Sequence, residues 1–257
     1  MAVAGIDIGS LTAEVVIMEQ DKMISYVIRP TGFNSKQAAE KAIKEALMKA
    51  GLNMADLSSI VATGYGRISI DFADKIVTEI TCHGRGAFFW DPTIRTVIDI
   101  GGQDSKVISL DRGGRVIDFA MNDKCAAGTG RFLEVMAQAL ELKLNELGPV
   151  SLKHKKSVVI SSMCTVFAES EVVSLIAEGC AKEDILNGLH QAIASRVSAM
   201  AQSLRVEKVV ALCGGVAKNV GVVKALEQNL RVKVKVPAEP QIIAALGAAI
   251  CAREMVV

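Results

Sequence analysis

The sequence predicts an α/β protein made of two structurally similar halves. One observation is a repeat, because the letters IDIG occur at residues 6–9 and again at 98–101. In both copies a glycine turn joins two strand-like segments, and a tight turn leads into a third. A further observation is that strand-like and helix-like segments are interspersed along the whole chain, which is typical of α/β architecture. We expect the boundary between the halves near Pro92, just before the second copy.

The first half is predicted to contain four strands and one helix. Runs rich in β-branched residues indicate the strands. Three of them span residues 3–9, 12–19 and 22–30, and the fourth lies in 58–66, which is predicted to be a strand followed by a turn. The segment 35–51 has the periodicity of an amphipathic helix. Ser35 is its expected N-cap, and Gly51 is the expected residue after its last turn.

The second half begins with the strand, glycine turn, strand, tight turn and strand of the repeat. Apolar runs of strand length then alternate with segments of helical periodicity. The predicted helices span residues 128–142, 166–179, 183–204, 221–230 and 241–254, and the predicted strands span 157–163, 208–215 and 232–237.

Composition limits the classes of function. The 257 residues are 51% hydrophobic and 22% charged with a net charge of +1, as expected of a globular protein. The balanced charge gives no reason to expect nucleic acid or an anionic membrane as a partner, and the 4% of aromatic residues argues against base stacking. The longest apolar run, 242–252, is about half the ~20 residues that span a bilayer.

The cysteine content bears on the cellular compartment. The start of the chain has no basic leader and Asp7 interrupts its first apolar stretch, so a signal peptide is not expected. The six cysteines are therefore expected in a reducing, cytoplasmic compartment, where thiols are buried, catalytic or metal-bound rather than paired in disulfides.

The two repeated glycine turns predict a phosphate-binding site. Each follows a strand that ends with an aspartate, Asp7 or Asp99, and glycine allows backbone N–H groups to approach an anion. The two aspartates could hold Mg²⁺ through water molecules. Ser10 and Thr12 could donate hydrogen bonds to phosphate, and Gln103 could orient an attacking water. The alternative is that both turns are ordinary hairpins; the paired occurrence favours phosphate binding.

A third glycine turn, Gly214–Gly215, follows a predicted strand and precedes a helix, as at ligand crevices of α/β folds. The order of the three turns resembles the actin/hexokinase/Hsp70-like ATPase superfamily. GIDIGSLTAE resembles its first phosphate motif, VIDIGGQDSK its second phosphate motif, CGGVAKN its adenosine motif and AALGAA its second connecting helix.

This resemblance implies the actin-like ATPase fold, in which two ribonuclease-H-like domains close over Mg-ATP in a cleft between them. The terminal helix would return to the first domain, so the domains would be 1–93 with 241–257, and 94–240. Asp7, Asp99 and Gln103 would be catalytic. The residues implied for nucleotide binding are Gly9, Ser10, Leu11, Thr12, Ala13, Glu14, Gly101, Gly102, Gln103, Asp104, Gly214, Gly215, Val216, Lys218, Asn219 and Gln241.

Two cysteines stand near predicted helix beginnings. Cys125 lies in NDKCAAGTGRFLEVMA and Cys164 in SSMCTVFAESEV. A helix N-terminus favours the thiolate form of cysteine, and thiolates bind soft metals. The alternative is that both are buried fillers, the common role of free cysteine, and the spacing alone favours that alternative.

The sequence motifs around these cysteines decide between the two interpretations. Together with ATGYGR and EITCHGRGA, they closely resemble the ATP-dependent activators of 2-hydroxyacyl-CoA dehydratases, the BadF/BadG/BcrA/BcrD-type ATPase family, from end to end. The resemblance implies that Cys125 and Cys164 of each subunit bind one [4Fe–4S] cluster shared across a homodimer. A cluster of this kind needs four thiolates, which a chain with two suitable cysteines supplies only by pairing with a copy of itself.

The resemblance also implies the reaction. In an anaerobic metabolism, ATP and Mg²⁺ would drive domain closure, and one electron would pass to a dehydratase that removes water from a 2-hydroxyacyl-CoA. A reduced ferredoxin or flavodoxin would be the electron donor.

Other functions remain open at this point. Close variants are the ATPase subunit of a benzoyl-CoA reductase and the activator of a double-cubane-cluster protein, because the partner defines the task. More distant alternatives are an amino sugar kinase, against which the short chain argues, and a cluster-free scaffold of the actin type.

The remaining cysteines and histidines are expected to be structural. Cys82 and His83 are adjacent, and adjacent side chains of a strand point to opposite faces, so we do not expect them to form a metal pair. The others are expected in the core, namely Cys180, Cys213 and Cys251, or at exposed positions, namely His154 and His190.

Overall fold

The computed structural model describes residues 1–161, 164–204 and 206–256. Its contacts divide the chain into two compact units. The first unit comprises Met1–Val97, Ile108–Asp118 and Pro237–Val257, and the second comprises Ile98–Val107 and Phe119–Val236. The domain limits expected from the sequence stay a prediction.

Ten β-strands and eight α-helices form in the described part of the chain. The strands are β1 (Ala2–Ile8), β2 (Thr12–Glu19), β3 (Lys22–Pro30), β4 (Leu57–Thr63), β5 (Lys75–Ile76), β6 (Thr96–Ile100), β7 (Ser105–Leu110), β8 (Val116–Asn122), β9 (Val210–Cys213) and β10 (Val234–Lys235). The helices are α1 (Ser35–Ala50), α2 (Glu79–Trp90), α3 (Gly130–Ala139), α4 (Leu147–Ser151), α5 (Thr165–Ala177), α6 (Lys182–Ser203), α7 (Val220–Leu230) and α8 (Ile243–Arg253). None of these helices is long and apolar enough to cross a bilayer.

The first sheet has the strand order β3-β2-β1-β4-β5. Strands β1, β2 and β3 are antiparallel neighbours, whereas β4 is parallel to both β1 and β5. The register pairs Asp7 of β1 with Glu14 of β2 and with Thr63 of β4. Asp7 therefore lies close to the carboxyl end of the central strand, where α/β folds bind ligands.

Helices cover both faces of this sheet, and for that reason its central strands are apolar almost throughout. Ile6, Ile8 and Val15 form one core with the apolar side of α1. Val3 and Val16 point to the opposite face and form another core with α8. The alternation of neighbouring residues between two cores follows from the two-residue period of a strand.

Two glycines allow α8 to approach its neighbours closely. A Cβ atom on Gly5 of β1 would lie 2.0 Å from the carbonyl oxygen of Ala245 in α8. A Cβ atom on Gly247 of α8 would lie 1.8 Å from the carbonyl oxygen of Cys82 in α2. Only glycine permits these backbone contacts, so α8 packs directly on both β1 and α2.

The second sheet has the order β10-β9-β6-β7-β8, with β9 parallel to β10. Its core combines strand residues such as Ile100 and Leu212 with helical residues such as Met136, Leu189 and Leu226. These side chains come from β6, β9, α3, α6 and α7. The core therefore holds β6 and β9, the strands that precede the second and third glycine turns, in one packed unit.

Most of the predicted elements are confirmed, with differences at local positions. Helix α1 begins after Asn34, whose side-chain oxygen accepts a hydrogen bond from the Gln37 backbone N–H at 3.0 Å. Asn34 is therefore the N-cap, and the prediction of Ser35 is wrong. Gly51 follows α1 in the left-handed conformation, with φ of 70°, as predicted.

Two strand assignments are also wrong. Cys82 and His83 lie in helix α2 rather than in a strand. Residues 157–161 form no strand, and the remainder of the expected strand, 162–163, lies outside the described residues. Gly84 and Gly86 lower the helix propensity of α2, because glycine disfavours a helical backbone. The helix nevertheless forms here because tertiary packing stabilises it.

Candidate nucleotide-binding turns and cysteine loops

The first glycine turn is a rigid link between β1 and β2. The Gly9 N–H donates to the Thr12 carbonyl oxygen at 2.9 Å, which closes the turn. Thr31 braces it twice, because its hydroxyl donates to the Gly9 carbonyl and its N–H donates to the Leu11 carbonyl, both at 2.9 Å. Ser10, Leu11 and Thr12 stay partly accessible. The turn can therefore present backbone and hydroxyl groups to a ligand without being reorganised.

Asp7 lies behind this turn, next to the ATGYGR segment. Gly64 has φ of +86°, and a Cβ atom there would lie 2.1 Å from Asp7 Oδ1. Only glycine fits between the strand end and this carboxylate. Ala13 and Glu14, which were expected to touch nucleotide, are buried within β2. Gln241 lies in the same unit, in a short turn where its N–H donates to Glu239 Oε1 at 3.2 Å.

The second glycine turn has a buried charge cluster beneath it. Lys106 Nζ lies 3.3 Å from Asp99 Oδ2 and 2.7 Å from Asp104 Oδ2. Asp99 and Lys106 are each only 4% exposed, so they must be paired to be accommodated. The Gly101 N–H donates to the Asp104 carbonyl at 3.0 Å and closes the turn. Gln103 is exposed at its tip, where solvent and ligand can reach it.

Lys106 was not singled out from the sequence, although a signal was present. It is a lysine in a run, SKVISL, whose other five residues are apolar or hydroxyl-bearing. A lysine in such a strand needs a carboxylate partner, and two aspartates, Asp99 and Asp104, precede it by seven and two residues.

The third glycine turn approaches the second. Gly214 has φ of +82°, and a Cβ atom there would lie 2.3 Å from the Ile100 carbonyl oxygen and 2.7 Å from Asp99 Oδ1. The strand ends of β6 and β9 therefore meet at Asp99. Gly215 and Lys218 are exposed, whereas Val216 is buried.

Asn219 connects the third turn to a buried histidine. Its Oδ1 accepts from the Gly221 and Val222 N–H groups at 2.9 and 3.2 Å, which caps α7, and its Nδ2 lies 3.2 Å from His190 Nε2. His190 Nδ1 lies 3.0 Å from Ser151 Oγ. The prediction that His190 is exposed is wrong, because it is 1% exposed. His154 is exposed, as predicted.

Burial keeps this histidine neutral. It lowers the pKa of His190 to about 4, because a charged imidazolium is disfavoured away from water. The Ser151 hydroxyl donates to the Gly148 carbonyl at 2.8 Å, so its oxygen accepts from His190 Nδ1–H. His190 Nε2 is then the acceptor for the Asn219 amide. One tautomer thus satisfies the whole network.

The Cys125 loop is tied to the second glycine turn. The Gly130 N–H donates to the Gly101 carbonyl at 2.9 Å, and the Arg131 N–H donates to the Gly102 carbonyl at 2.8 Å. The Thr129 hydroxyl lies 3.0 Å from the Gly102 carbonyl oxygen and 2.6 Å from that of Ala126. Three contacts therefore join this glycine turn to the first residues of α3 and to the segment that follows Cys125.

The position of Cys125 differs from expectation. The N-cap of α3 is Thr129, so Cys125 lies four residues before the cap rather than at the helix N-terminus. The first two N–H groups of α3 are already used by the Gly101 and Gly102 carbonyls. Cys125 is half-buried, and the Asn122 side chain donates to its carbonyl oxygen at 2.9 Å. Hydrogen bonds hold the loop in place, and Cys125 does not lie at the helix N-terminus, where the helix dipole would act on its thiol.

Cys164 is placed as predicted, at a helix N-terminus. It is the N-cap residue of α5 and is exposed, and its carbonyl accepts from the Ala168 N–H at 2.9 Å. Val166, Phe167 and Val173 of the same helix are more than half exposed. Part of its motif, residues 162–163, lies outside the described residues.

The chemistry of the donors determines which metal groups this chain can hold. Among the described residues, no three His, Cys, Asp or Glu side chains are grouped so that they could bind a metal ion. Cys125 and Cys164 are both free thiols with accessible surface. Two thiols are half of the four that an iron–sulfur cluster with four thiolate ligands needs.

Solved structures define the class of the fold. A ROK hexokinase from Thermus thermophilus matches with a TM-score of 0.58 at 16% identity and covers all of both chains, which shows a shared fold. The chain is thus an α/β protein with the actin-like ATPase fold, as predicted.

The family match identifies a narrower class of protein than the fold does. The chain belongs to the BadF/BadG/BcrA/BcrD ATPase family, which it matches over residues 4–252. It is 46% identical to the activator of lactoyl-CoA dehydratase of Anaerotignum propionicum, over 99% of this chain and 98% of that protein. It is also 46% identical to the (R)-2-hydroxyglutaryl-CoA dehydratase activating ATPase of Acidaminococcus fermentans, over 96% and 95% respectively.

A solved structure of an activator agrees with this assignment. The activator of the 2-hydroxyisocaproyl-CoA dehydratase from Clostridium difficile, with bound ADPNP, matches with a TM-score of 0.95 at 43% identity, over 99% of this chain and 95% of that chain. A more distant relative is one of the subunits of the benzoyl-CoA reductase of Thauera aromatica, which is 33% identical over 89% of this chain and 83% of that protein.

Proposed function

We propose that this protein is an ATP-dependent, one-electron reductive activator of a 2-hydroxyacyl-CoA dehydratase. It acts as a homodimer whose two subunits share one [4Fe–4S] cluster. The observation that carries the proposal is the hydrogen-bonded connection between the Gly101–Gly102 turn and the Thr129–Arg131 segment. This connection joins a nucleotide-binding motif to the loop of a proposed cluster ligand.

The nucleotide is bound in this proposal by the three glycine turns. The Gly9–Thr12 and Gly101–Gln103 turns bind the phosphates, and Gly214–Asn219 binds the adenosine. Asp7 and Asp99 hold Mg²⁺ through water molecules, in keeping with the preference of this ion for oxygen ligands and retained waters. Gln103, which is exposed at the tip of its turn, orients the attacking water.

Coupling follows from the positions of the turn carbonyls. The carbonyls of Gly101 and Gly102 accept hydrogen bonds from Gly130, Arg131 and Thr129. A shift of the turn on phosphate binding or release therefore moves the beginning of α3 and the Cys125 loop with it, because three hydrogen bonds join the two segments. ATP hydrolysis is thereby linked to the surroundings of the cysteines.

Cys125 and Cys164 of each subunit hold the cluster. When bound, it supplies a one-electron donor, and its charge and hydrogen bonding tune how readily the electron leaves. A second copy of the chain supplies the other two thiolates. The exposed apolar residues of α5 beside Cys164, namely Val166, Phe167 and Val173, support this dimer, because exposed apolar patches mark interaction sites.

The names of the relatives support a dehydratase as the partner, and the electron donor is proposed from the family resemblance. A dehydratase of the 2-hydroxyacyl-CoA class receives the electron, and a reduced ferredoxin or flavodoxin replaces it. The second candidate function is that of an ATPase subunit of a benzoyl-CoA reductase, which the similarity to the reductase protein of Thauera aromatica favours. At 33% this identity is lower than the 46% to dehydratase activators, so the first candidate is preferred.

Electron transfer under anoxic conditions tests the proposal. The dithionite-reduced protein is mixed with a purified 2-hydroxyacyl-CoA dehydratase, its substrate and Mg-ATP, and formation of the enoyl-CoA is followed. We expect product with ATP and little with ADPNP, ADP or no nucleotide. Cys125→Ala and Cys164→Ala should be inactive, whereas Cys180→Ala, which changes a cysteine outside the motifs, should be active.

An assay with the benzoyl-CoA reductase distinguishes the two candidate functions. Support of benzoyl-CoA reduction by the other reductase subunits, with no activation of any dehydratase, would assign the second candidate function. Equal dehydratase activation without nucleotide would contradict the ATP-driven mechanism.

A further inference from the structure

A pair of cysteines outside the proposed cluster ligands lies between α2 and α8. The backbones of these helices touch where Gly247 of α8 meets Cys82 of α2. Cys251 is four residues after Gly247 and therefore lies on the same face of α8, one turn further on. Cys82 belongs to the buried cluster between these elements, and Cys251 packs against that cluster. Neither residue has a role in the proposed function.

The two thiols differ in their access to solvent. Cys82 is fully buried, whereas Cys251 is half-buried and lines a cavity of about 540 Å³. The cavity is also lined by Lys75 and Arg85, and by Glu254, which pairs with Arg85 at 2.8 Å. A small polar molecule can reach the sulfur of Cys251 through this cavity but cannot reach Cys82 directly.

We propose that Cys251 is a peroxide-reactive thiol and that Cys82 is its resolving partner, so that hydroperoxides convert the pair to a disulfide between α2 and α8. The inference is independent of the proposed function. It rests on the packing of both cysteines in one cluster between two touching helices, on the one-sided access to Cys251 and on the cations that line its cavity.

The chemistry is balanced with hydrogen peroxide as the oxidant. The Cys251 thiolate attacks the peroxide, so that an S–O bond forms, the O–O bond breaks and hydroxide leaves to become water. The Cys82 sulfur then attacks the Cys251 sulfur, so that an S–S bond forms, the S–O bond breaks and the second oxygen leaves as water with the Cys82 proton. Two thiols and one peroxide thus give one disulfide and two waters.

The electrostatics assign the order of reaction. The hydrogen bond from Cys82 lowers the pKa of the Cys251 thiol to about 7, against the opposing effect of burial and with help from Arg85. The same hydrogen bond and the burial of Cys82 raise the pKa of the Cys82 thiol well above its ordinary value. The accessible sulfur is therefore the one that carries thiolate, which is the attacking species.

Peptide mapping tests the pair. The full-length, fully reduced protein is treated with hydrogen peroxide, its remaining thiols are blocked with N-ethylmaleimide, and non-reduced peptides are analysed by mass spectrometry. We expect a cross-linked peptide that joins Cys82 to Cys251 and disappears with dithiothreitol, before Cys180 or Cys213 is modified. The experiment is repeated with Cys125→Ala/Cys164→Ala, so that released iron cannot generate radicals.

Two variants separate the roles of the thiols. Cys251→Ser should abolish the cross-link and leave Cys82 reduced. Cys82→Ala should slow the reaction of Cys251, because the partner that lowers its pKa is lost, and should stop it at the sulfenic acid, which dimedone labels. Cys180→Ser is the matched control and should form the cross-link as wild type does. The proposal is overturned if Cys251 stays a free thiol while Cys180 is oxidised, or if it accumulates as sulfinic acid without the cross-link.

Discussion

The Thr129 hydroxyl links the second glycine turn to the Cys125 loop. Thr129 is fully buried and lies within hydrogen-bonding distance of the Gly102 and Ala126 carbonyls. A hydroxyl supplies one proton, which these two acceptors share. The side chain therefore fixes the spacing between the second glycine turn and the loop that follows Cys125.

Replacing Thr129 with valine should destabilise the protein. Valine keeps the shape but removes the donor. The Gly102 and Ala126 carbonyls keep their backbone donors, the N–H groups of Arg131 and Thr129, so the loss is that of one hydrogen bond, about 0.5–1.5 kcal/mol. We expect the free energy of unfolding in urea to fall by about that amount for Thr129→Val. Thr129→Ser keeps the hydroxyl and should remain closer to wild type. Equal stability of wild type and Thr129→Val would show that the hydroxyl contributes nothing.

Lys106 stabilises the second glycine turn by compensating two carboxylates. Removal of one member of a buried ion pair typically costs about 3–5 kcal/mol, because a charge is left without compensation. We expect Lys106→Met to lose about that much stability and to weaken nucleotide binding, measured by urea unfolding and by fluorescent nucleotide titration.

A surface ion pair provides the matched control for this variant. Lys36 pairs with Asp71 at 2.5 Å, but both side chains are largely solvent-exposed. Lys36→Met should change stability little, because water screens exposed pairs. A loss of stability in Lys36→Met as large as that in Lys106→Met would contradict the argument from burial.

At the scale of elements, the buried network of His190 connects α4, α6 and the start of α7. Its effect on stability depends on pH. Above pH 6.5 the histidine is neutral in the folded and unfolded chains, so the network is fully stabilising. As the pH falls from 6.5 towards the folded-state pKa of about 4, the unfolded chain takes up a proton that the folded chain excludes.

Stability should therefore decline between pH 6.5 and about 4 because of this residue, by about 3 kcal/mol in all. The measurement is urea unfolding of wild type and His190→Gln over this range, and the quantity compared is the difference in slope against pH. Glutamine does not titrate, so the variant should lack this component of the slope. Parallel curves for the two proteins would contradict the assignment.

For the whole molecule, the sequence was most informative where structure is local. The glycine turns after β1 and β6, the first three strands and the cap at Gly51 follow from neighbouring residues and were predicted. Cys164 at the start of α5 was predicted for the same reason. These features depend on turn chemistry and strand patterning, which a short segment contains in full.

Features that depend on packing could not be read from the sequence. Helix α2 contains Gly84 and Gly86, which lower helix propensity, and a Cβ atom on Gly86 would lie 2.0 Å from the Ile243 carbonyl oxygen in α8. The burial of His190 depends on residues 29 and 39 positions away along the chain. The contact of Thr129 with Gly102 spans 27 residues. No local pattern contains such contacts.

The family assignment and the number of cysteine thiols available as cluster ligands both support the proposed homodimer. One chain has two free cysteines in the cluster motifs, and a cluster with four thiolate ligands needs both copies. Cys125→Ala or Cys164→Ala should therefore remove iron while leaving nucleotide binding intact, since the bonds between the second glycine turn and the Cys125 loop come from backbone N–H groups and the Thr129 hydroxyl, not from the thiols. Iron by colorimetric assay and nucleotide by titration measure both properties on the same sample.

Native mass spectrometry of the anoxically purified protein tests the central claim most directly. We predict a species of two chains carrying one cluster of about four iron and four sulfide ions, which loses the cluster in both cysteine variants. An iron-free monomer that persists after anoxic reconstitution with iron and sulfide would contradict the account.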